Sequence, residues 1–416
     1  MAPIRPFSFK LFSSLTLMKK PKILAITSEL PWPLNTGGHL RTCFLLKAIA
    51  GQFDLTLVVP IGGGDEEGVQ ALSGFGIKME GVEVSPRSPL GEAKRALLAA
   101  VRSEPYVMFH RHNRKEVRGR LAQLLRSEHF DAVYIDHLDP YVFRDLFPAH
   151  PIIVDVHNVY SLLAERVARE HSGPRQWYLL REARLLAGIE RKIAADATAL
   201  TAVSQEEQED FSRLGNDNVH LVANGVDCSH YFTLPVGRTV QPPVLLYIGA
   251  LSWQPNAQAA KFLAHHVIGK VREKYPDALL RVVGRSPDRS VMELAQIPGV
   301  EVHADVPDIG VYLEQASLLT VALDSGGGTR LKILEAFAAG LPVVSTATGC
   351  EGIDCEHERH LLIASRDEFP AAIDRMLSAP QQAQAMAENG RRLVEQKYDW
   401  GAQGSRACKA IESVLT

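Results

Sequence analysis

Two cations at the start of a short apolar segment are the residues whose type and spacing point most directly to chemistry. Arg330 and Lys332 directly follow a glycine-rich loop at residues 325–328. The spacing of the apolar residues predicts a helix over residues 331–339, with Thr329 as its N-cap. Cations are disfavoured at a helix N-terminus, by a few tenths to ~1 kcal/mol each. A phosphate or diphosphate bound by the loop N–H groups would offset that cost, so the pattern predicts an anion site.

The residues around this helix predict the sheet that positions it. Residues 320–323 and 343–346 are short apolar runs typical of buried strands. A strand, a helix and a second strand in this order indicate a parallel α/β sheet. On a helical wheel Lys332 and Glu335 share one face, so a solvated surface ion pair is the alternative interpretation. The apolar character of the rest of the helix favours burial and the anion site.

Composition restricts the class of protein. The 416 residues are 46% hydrophobic and 22% charged, which is typical of a globular chain long enough for two domains. The net charge of −3 argues against a dedicated nucleic-acid binder. Scattered cysteines predict free thiols in a reducing compartment. They are Cys43, Cys228, Cys350, Cys355 and Cys408. Residues 350–360 also contain two histidines, but the spacing fits no common zinc site, so no metal is expected.

The beginning of the chain predicts no membrane anchor. No run of about 18 apolar residues occurs in the sequence. The apolar patch at residues 11–18 is not followed by a small-residue cleavage site, so no signal peptide is expected. Met18 precedes a lysine-rich segment and a buried strand. We therefore interpret residues 1–20 as a disordered extension, or translation as starting at Met18.

The first half of the chain repeats the pattern of strand and glycine loop. Residues 22–27 predict a buried strand, and Gly37 with Gly38 precedes a helix over residues 39–50. Further strands are predicted at residues 55–60, 132–135, 152–156, 198–203 and 219–223 and, in the second half, at residues 244–249, 279–285 and 300–307. His157 follows one of them, and ligands bind at the carboxyl ends of strands in open α/β sheets. His157 is therefore a candidate site residue, with a structural histidine as the alternative.

A basic segment at residues 87–120 interrupts this pattern. It contains nine lysines and arginines against three glutamates, in a chain that is slightly acidic overall. One interpretation is a face that docks on anionic lipid at the inner membrane surface. The alternative is a solvated helical surface with no partner.

The run GGGTRLKILEAFAAGLPVVSTATGCEGI, residues 326–353, resembles the donor-site signature of the retaining family-4 glycosyltransferases. The resemblance implies the GT-B fold, an α/β architecture of two Rossmann-like, doubly wound parallel-sheet domains that face a central cleft. It implies an acceptor-binding domain over residues 21–238 and a nucleotide-sugar-binding domain over residues 239–397. Residues 398–416 would form a helix that returns to the first domain. The NGVD turn at residues 224–227 resembles the family's turn before the linker.

The resemblance also implies roles for single residues. Glu335 matches the second Glu of the family's E-x7-E motif, which binds the ribose hydroxyls, but the first Glu is replaced by Gly327. Many members have an Arg and a Lys after the first strand of the second domain, where this chain has Ala250 and Asn256. Arg330 and Lys332 are therefore the predicted cations for the donor diphosphate.

The implied site spans both domains. The residues with implied donor-binding roles are Gly37, Gly38, Gly284, Val306, Gly327, Gly328, Thr329, Leu331 and Glu335. Those with implied catalytic roles are His157, Arg330 and Lys332. Asp324 and Ser325 are the candidates to replace the missing first Glu.

The catalytic motifs that the sequence lacks limit the class of reaction. The sequence lacks a D-x-D pair, a P-loop, a G-x-S-x-G motif and a Rossmann G-x-G-x-x-G after the first strand. We expect a metal-independent hexosyltransferase without a cofactor, whose UDP- or GDP-sugar donor is a substrate and whose acceptor is a glycan or a lipid-linked molecule. The resemblance to the family also implies a role in bacterial surface polysaccharide or glycolipid synthesis, in the cytoplasm or at the inner membrane face. The alternatives are a degenerate GT-B subunit that supports a partner enzyme, and a nucleotide-sugar epimerase.

Overall fold

The computed structural model describes residues 20–106, 109–169, 171–231, 240–325 and 330–415. Three residues with predicted donor-binding roles, Gly327, Gly328 and Thr329, lie outside these ranges, as does the predicted domain boundary at residue 238. No helix of the described residues is both long enough and apolar enough to cross a bilayer.

The first half of the chain forms a parallel sheet of short, buried strands. In the described residues these are β1 (Lys22–Ile26), β2 (Asp54–Ile61), β3 (Lys78–Glu83), β4 (Ala132–Asp136), β5 (Ile152–Asp155), β6 (Ala199–Ala202) and β7 (Val219–Leu221). Their order is β3-β2-β1-β4-β5-β6-β7. Strands that are apolar on both faces need helices on both sides of the sheet. The helices of this half are α1 (Gly37–Gln52), α2 (Glu66–Gly74), α3 (Pro89–Val101), α4 (Lys115–Ser127), α5 (Tyr160–Arg169), α6 (Gly173–Asp196) and α7 (Gln205–Arg213).

The second half forms another parallel sheet with its own core. Its strands are β8 (Val244–Ala250), β9 (Leu279–Arg285), β10 (Val300–Ala304), β11 (Leu318–Val321), β12 (Val343–Ser345) and β13 (Leu362–Ile363), in the order β10-β9-β8-β11-β12-β13. Its helices are α8 (Gln254–Phe262), α9 (Ile268–Lys274), α10 (Arg289–Met292), α11 (Gly310–Glu314), α12 (Leu331–Ala338), α13 (Phe369–Ser378), α14 (Pro380–Lys397) and α15 (Trp400–Leu415). In both halves the strand order reverses beside the first strand, so a crevice forms at the carboxyl edge of each sheet.

The last helix returns to the first half, as predicted. Helix α15 packs on α1, where a Cβ added to Gly404 would lie 2.3 Å from the Cβ of Ala48. Trp400 stacks on Phe44, with the ring centroids 5.4 Å apart. Only glycine permits this close helix packing, so Gly404 fixes the docking of α15.

The predicted NGVD turn lies where the two halves cross. Val226 forms a bridge with Asp399, and its N–H donates to the Tyr398 carbonyl at 2.8 Å. A Cβ added to Gly225 would lie 2.7 Å from that carbonyl oxygen. The glycine of this turn is therefore required by the close approach of the returning chain.

The strand predictions agree with the structure to within about three residues at each end. The sequence did not predict β3 or β13. β3 carries charged residues in half-exposed and exposed positions at the sheet edge, and β13 has two residues, so neither shows a buried apolar run. Residues 160–196 contain two helices, α5 and α6.

Candidate active site

Charged side chains meet at the carboxyl edge of the first sheet. Asp155 ends β5 and is fully buried. Arg41 of α1 donates to both of its oxygens, at 2.9 Å from Nε and 2.5 Å from Nη2, and the Thr201 hydroxyl donates to the same carboxylate. Burial would lower the pKa of Arg41, but the Asp155 charge raises it. The two residues therefore form a buried, bidentate salt bridge.

His157 completes this cluster. Its Nε2 lies 3.0 Å from the Asp155 carboxylate and 3.2 Å from that of Asp136. Burial would lower the pKa of His157, but the two carboxylates raise it to about 9. The ring is therefore protonated at neutral pH. Together with Arg41, the cluster contains two cations and two carboxylates and is neutral overall.

The same cluster contains candidate metal ligands. Asp136, Asp155 and His157 form the one group in the described ranges whose ligand atoms lie within 4.8 Å of one another. Arg41 already binds both Asp155 oxygens, so the geometry fits an internal ion-pair network better than a cation site. The cysteines and histidines of residues 350–360, all of which the structure describes, form no such group.

The glycines at the start of α1 lie beside the second half. The hydroxyl of Thr36 accepts from the N–H of His39 at 3.1 Å and caps the helix, which begins at Gly37 rather than at residue 39. A Cβ on Gly37 would lie 3.2 Å from Cδ1 of Leu331, whereas one on Gly38 would meet nothing within 4 Å. The N-termini of α1 and α12 therefore face each other across the cleft.

Arg330 immediately precedes α12. The helix begins at Leu331 as predicted, and its N-cap is Arg330 rather than the predicted Thr329, which lies outside the described residues. The buried guanidinium donates to the Thr348 carbonyl at 3.1 Å and lies 3.7 Å from the Glu351 carboxylate. Burial lowers the pKa of Arg330, although Glu351 acts in the opposite direction.

Lys332 lies in the first turn of α12 and points toward β8. Its Nζ donates to Oδ1 of Asn256 at 2.9 Å and lies 4.7 Å from the centre of the Tyr247 ring. In the described part of the chain no carboxylate forms a salt bridge with it. Burial, and then the charge of Arg330, lower the pKa of Lys332 to about 7, although Glu335 raises it. Lys332 is therefore held beside an amide and an aromatic ring, with no ion-pair partner among the described residues.

Glu335 lies one turn further along α12. Burial raises the pKa of Glu335 to about 7, opposed by Lys332 and by a hydrogen bond with the Tyr231 hydroxyl. Lys332 and Glu335 have separate partners and form no salt bridge in the described residues. The alternative of a Lys332–Glu335 surface pair is therefore wrong, although both side chains are only half-buried.

Two further predicted donor-binding residues lie at the carboxyl edge of the second sheet. A Cβ on Gly284 would lie 1.8 Å from the carbonyl oxygen of Gly249, so the pairing of β9 with β8 requires glycine there. Val306 follows β10, and the N–H of the preceding Asp305 donates to the Gly284 carbonyl at 2.9 Å. The ends of β9 and β10 therefore form one continuous rim.

Sequence reasoning missed several residues of the site. Arg41 and Asp136 carry no local signal, because a charged residue in an amphipathic helix or at a strand end is usually solvated. Tyr231 and Tyr247 contact Glu335 and Lys332 from distant parts of the chain. In the sequence Asn256 was noted only because many family members have a lysine at this position. In the structure its side-chain oxygen accepts a hydrogen bond from Lys332.

Two family models match most of the chain. Residues 63–230 match the model described as "Glycosyltransferase Family 4", and residues 242–379 match that described as "Glycosyl transferases group 1". The chain belongs to the group 1, family 4 glycosyltransferases.

Individual relatives of this glycosyltransferase are distant. An MMP alpha-(1->4)-mannosyltransferase of Mycolicibacterium hassiacum is 24% identical over 250 residues, which span 58% of this chain and 59% of the relative. Anabaena HepE in complex with UDP-glucose superposes with a TM-score of 0.64 at 15% identity, covering 94% of this chain and 99% of that one. A glycosyltransferase of Rickettsia africae gives 0.64 at 14% identity, covering 95% and 99%. These structures confirm the GT-B fold of this glycosyltransferase.

Proposed function

We propose that this glycosyltransferase moves a sugar, with retention of anomeric configuration and without a metal, from a UDP- or GDP-sugar to a glycan or lipid-linked acceptor. The observation that carries the proposal is the environment of Lys332, an ammonium group at a helix N-terminus that has an amide and an aromatic ring as partners. A diphosphate would supply the missing negative charge and restore the pKa of the lysine. Arg330, two residues away, would contact the same diphosphate.

The ribose contact rests on Glu335. Its carboxylate accepts from Tyr231 and retains further acceptor capacity for vicinal hydroxyls. Arg330, at the N-cap of α12, and Lys332 and Glu335, within the helix, lie within about one and a half helical turns. This order places the two cations beside the diphosphate and the carboxylate beside the ribose of a bound donor. HepE, which shares the fold, was crystallised with UDP-glucose, and the mannosyltransferase relative acts on a sugar as well.

The reaction would take place between the two halves. The acceptor hydroxyl attacks the anomeric carbon on the face from which the diphosphate leaves, and a departing phosphate oxygen takes its proton. Arg330 and Lys332 stabilise the charge that develops on the leaving diphosphate. His157, which its two carboxylates keep protonated within a cluster that is neutral overall, would face the donor sugar from the other side of the cleft.

We further propose contact with an anionic membrane, which fits a lipid-linked acceptor in bacterial surface glycan synthesis. Nine of thirteen exposed large apolar side chains in the described residues lie on α3, α5 and α6. Leu90, Leu97 and Val101 are 82%, 67% and 76% exposed on α3, with Lys94 on the same side. An apolar stripe with basic residues is typical of a helix that lies in the membrane interface.

The basic segment itself is less uniform than its composition indicates. Arg87, Arg118 and Arg120 form internal ion pairs with Glu92, Asp145 and Glu80. Arg181 of α6 donates to the Ala100 carbonyl at 3.0 Å, so α3 and α6 form one surface. The membrane contact is therefore proposed for α3 and α6 rather than for the whole of residues 87–120.

A thermal-shift screen tests the donor site. Full-length protein is heated with UDP, GDP, ADP, CMP or dTDP and their common sugars. A ligand at about 100 times its Kd adds ~2.7 kcal/mol of stability. We expect one nucleotide family to raise the melting temperature and Glu335→Ala to abolish the shift, with exposed Glu293→Ala as the control. No shift with any nucleotide would contradict the transferase proposal and favour the degenerate subunit. Nucleotide release that occurs only when an acceptor is present would exclude the epimerase.

Vesicle sedimentation tests the membrane contact. We expect binding to vesicles that contain phosphatidylglycerol and loss of binding in the Leu97→Glu, Val101→Glu double variant. Val311→Glu serves as the control, because it places the same charge at an exposed apolar position away from α3, on α11. Equal binding of the double variant and wild type would contradict docking through α3.

A further inference from the structure

A second polar cluster lies at the carboxyl edge of the first sheet, beside the one that contains His157. Its centre is Asp139, which follows β4 and is only 7% exposed. Oδ2 of Asp139 accepts from the Ser28 hydroxyl at 3.0 Å, and Oδ1 has no hydrogen-bond partner among the described residues. Ser28 follows β1, so both residues lie at the edge where open α/β sheets bind ligands.

Two histidines flank this carboxylate. Nδ1 of His137 lies 3.5 Å from Oδ1 of Asp139, and Nε2 of His112 lies 3.8 Å from Oδ2. The ring of His137 is nearly perpendicular to that of His157, with the centroids 4.5 Å apart, and its nitrogens lie 3.0 and 2.6 Å from the Tyr160 hydroxyl. The polar side chains therefore form a continuous row from His157 to His112.

His112 is the most accessible member of this row. Its side chain is 30% exposed, more than those of Asp139 and His137. In the described part of the chain neither ring nitrogen of His112 makes a hydrogen bond. Burial lowers the pKa of His112, although Asp139 acts in the opposite direction. The ring is therefore neutral at neutral pH and has one donor and one acceptor nitrogen.

The space between His112 and Asp139 fits a hydroxyl group. At 3.8 Å the two side chains are too far apart for a hydrogen bond. A hydroxyl oxygen between them can lie about 2.8 Å from both, where it donates to the carboxylate and accepts from the imidazole. Burial would raise the pKa of Asp139, but His137 and His112 lower it below its ordinary value. Asp139 therefore offers a hydroxyl group a charge-assisted hydrogen bond.

The surroundings of this space favour an uncharged ligand. Glu29, which follows Ser28, is exposed and lies 3.3 Å from His39. Two carboxylates at this edge disfavour a phosphate, whereas both accept hydrogen bonds from hydroxyl groups. His39 is in the first turn of α1 with Gly37, which lies beside Leu331 of the second half. The row therefore faces the cleft.

We propose that His112 and Asp139 form an acceptor subsite, at which they bind a hydroxyl group of an uncharged sugar ring. This inference rests on the proposed function, because it assigns the acceptor to the first half. It narrows the acceptor to a molecule whose end within the cleft is a neutral sugar, whether or not a lipid follows. His112 is the accessible group of the subsite, and Asp139 supplies the charge.

Saturation-transfer NMR tests the subsite without any nucleotide. Full-length protein is mixed with the methyl glycosides of glucose, galactose, mannose and N-acetylglucosamine. We expect saturation transfer to at least one glycoside, and about tenfold weaker binding of it by His112→Leu. His129→Leu, at an exposed position that precedes β4 at the opposite edge of the sheet, is the control. Equal binding by His112→Leu and wild type, or binding of no glycoside, would overturn the proposal.

Two further variants separate binding from packing. His112→Gln keeps a donor and an acceptor on a neutral side chain, so it should retain more of the binding than His112→Leu. Asp139→Asn keeps the shape of the side chain but removes its charge, and should weaken binding by about threefold or more. Melting curves of all variants give the folded fraction to which binding is normalised. Equal losses in His112→Gln and His112→Leu would assign the effect to packing and contradict the subsite.

Steady-state kinetics with the donor found in the screen tests the assignment to the acceptor. We expect His112→Leu to raise KM for the glycoside about tenfold and to leave KM for the donor within about twofold of wild type. A raised KM for the donor with an unchanged KM for the glycoside would overturn the proposal, because it places His112 in the donor site. A protein that binds the glycoside but no nucleotide would instead count against the donor site, because the NMR result remains interpretable.

Discussion

The two halves of the molecule carry charged clusters at equivalent places, the carboxyl edge of a parallel sheet, and they pair these charges differently. In the first half Arg41 and His157 bind Asp136 and Asp155, so the cluster is neutral by itself. In the second half Lys332 has an amide and an aromatic ring as partners.

This difference separates structural from ligand-binding charge. A buried charge with its partner in place is costly to disrupt and gains little from a ligand. A buried charge without a counter-ion is costly to maintain, and a ligand of opposite charge relieves that cost. The Arg41–Asp155 pair therefore holds α1 and β5 together, whereas Lys332 is the charge for which we propose an anionic ligand. Four predictions test this distinction, beginning with the largest expected effect.

Arg41→Ala should reduce the free energy of unfolding by about 3 kcal/mol, because it removes the bidentate cation from the buried Asp155 carboxylate, which then keeps only His157 and Thr201 as partners. Denaturant unfolding measures the change. Arg289→Ala removes an exposed pair with Glu293 and serves as the control, with an expected loss below about 1 kcal/mol. A loss from Arg41→Ala as small as that of the control would contradict the structural role of the cluster.

Lys332→Met should lower kcat by about a hundredfold or more, roughly 3 kcal/mol, with a smaller effect on KM. The stability should stay the same or increase, because the change removes a half-buried charge that has no salt-bridge partner among the described residues. Steady-state kinetics with the donor found in the screen, together with denaturant unfolding, measures both. Lys270→Met, on the exposed side of α9, is the control. If Lys332→Met destabilised the protein as much as Arg41→Ala, the two clusters would not differ as described.

His157 should make stability fall at alkaline pH. Its pKa is about 9 in the folded protein and ordinarily about 6.5, so its contribution is fully present below pH 6.5 and is lost as pH rises through 9. The loss between these values should be about 2 to 3 kcal/mol. Unfolding curves of wild type and His157→Asn over this range measure the difference, which should shrink as pH rises. A difference independent of pH would show that the ring is neutral.

Nucleotide affinity should fall above neutral pH because of Lys332. Its pKa is about 7 in the free protein and should rise when a diphosphate binds, so above pH 7 binding must also supply the proton. The expected loss is about 1 kcal/mol per pH unit between pH 7 and 9. Titration calorimetry in buffers of different ionisation enthalpy measures proton uptake directly. Lys332→Met should bind more weakly but without this uptake, and equal uptake in both proteins would assign it to another group.

Much of the fold was predictable because its signals are local. Buried parallel strands are continuous apolar runs, and the helix over residues 331–338 is marked by apolar spacing and a following glycine. The glycines of the NGVD turn and of α1 were recognised as special positions, although only the structure identified their neighbours, Tyr398 and Leu331. The N-cap assignment was displaced by one residue because side-chain preference does not fix where a helix begins.

The partners of the charged residues were not predictable. Arg41 and Asp155 are 114 positions apart, and Lys332 and Asn256 are 76 apart. No periodicity relates such positions. The sequence indicated that Asn256 replaces a family lysine, but not that a lysine from α12 occupies the space beside it.

The sequence by itself predicted the strands of the two parallel sheets and α12 as an anion-binding element, because these signals lie within about ten neighbouring residues, whereas the return of the last helix was implied by the resemblance to the family. The tertiary structure alone decided which charges pair with an opposite charge inside the protein and which do not. That depends on burial and on distances of a few ångströms between residues far apart in the chain. The state of each charge therefore depends on packing, and the contrast between the Arg41 and Lys332 clusters exists only in the folded protein.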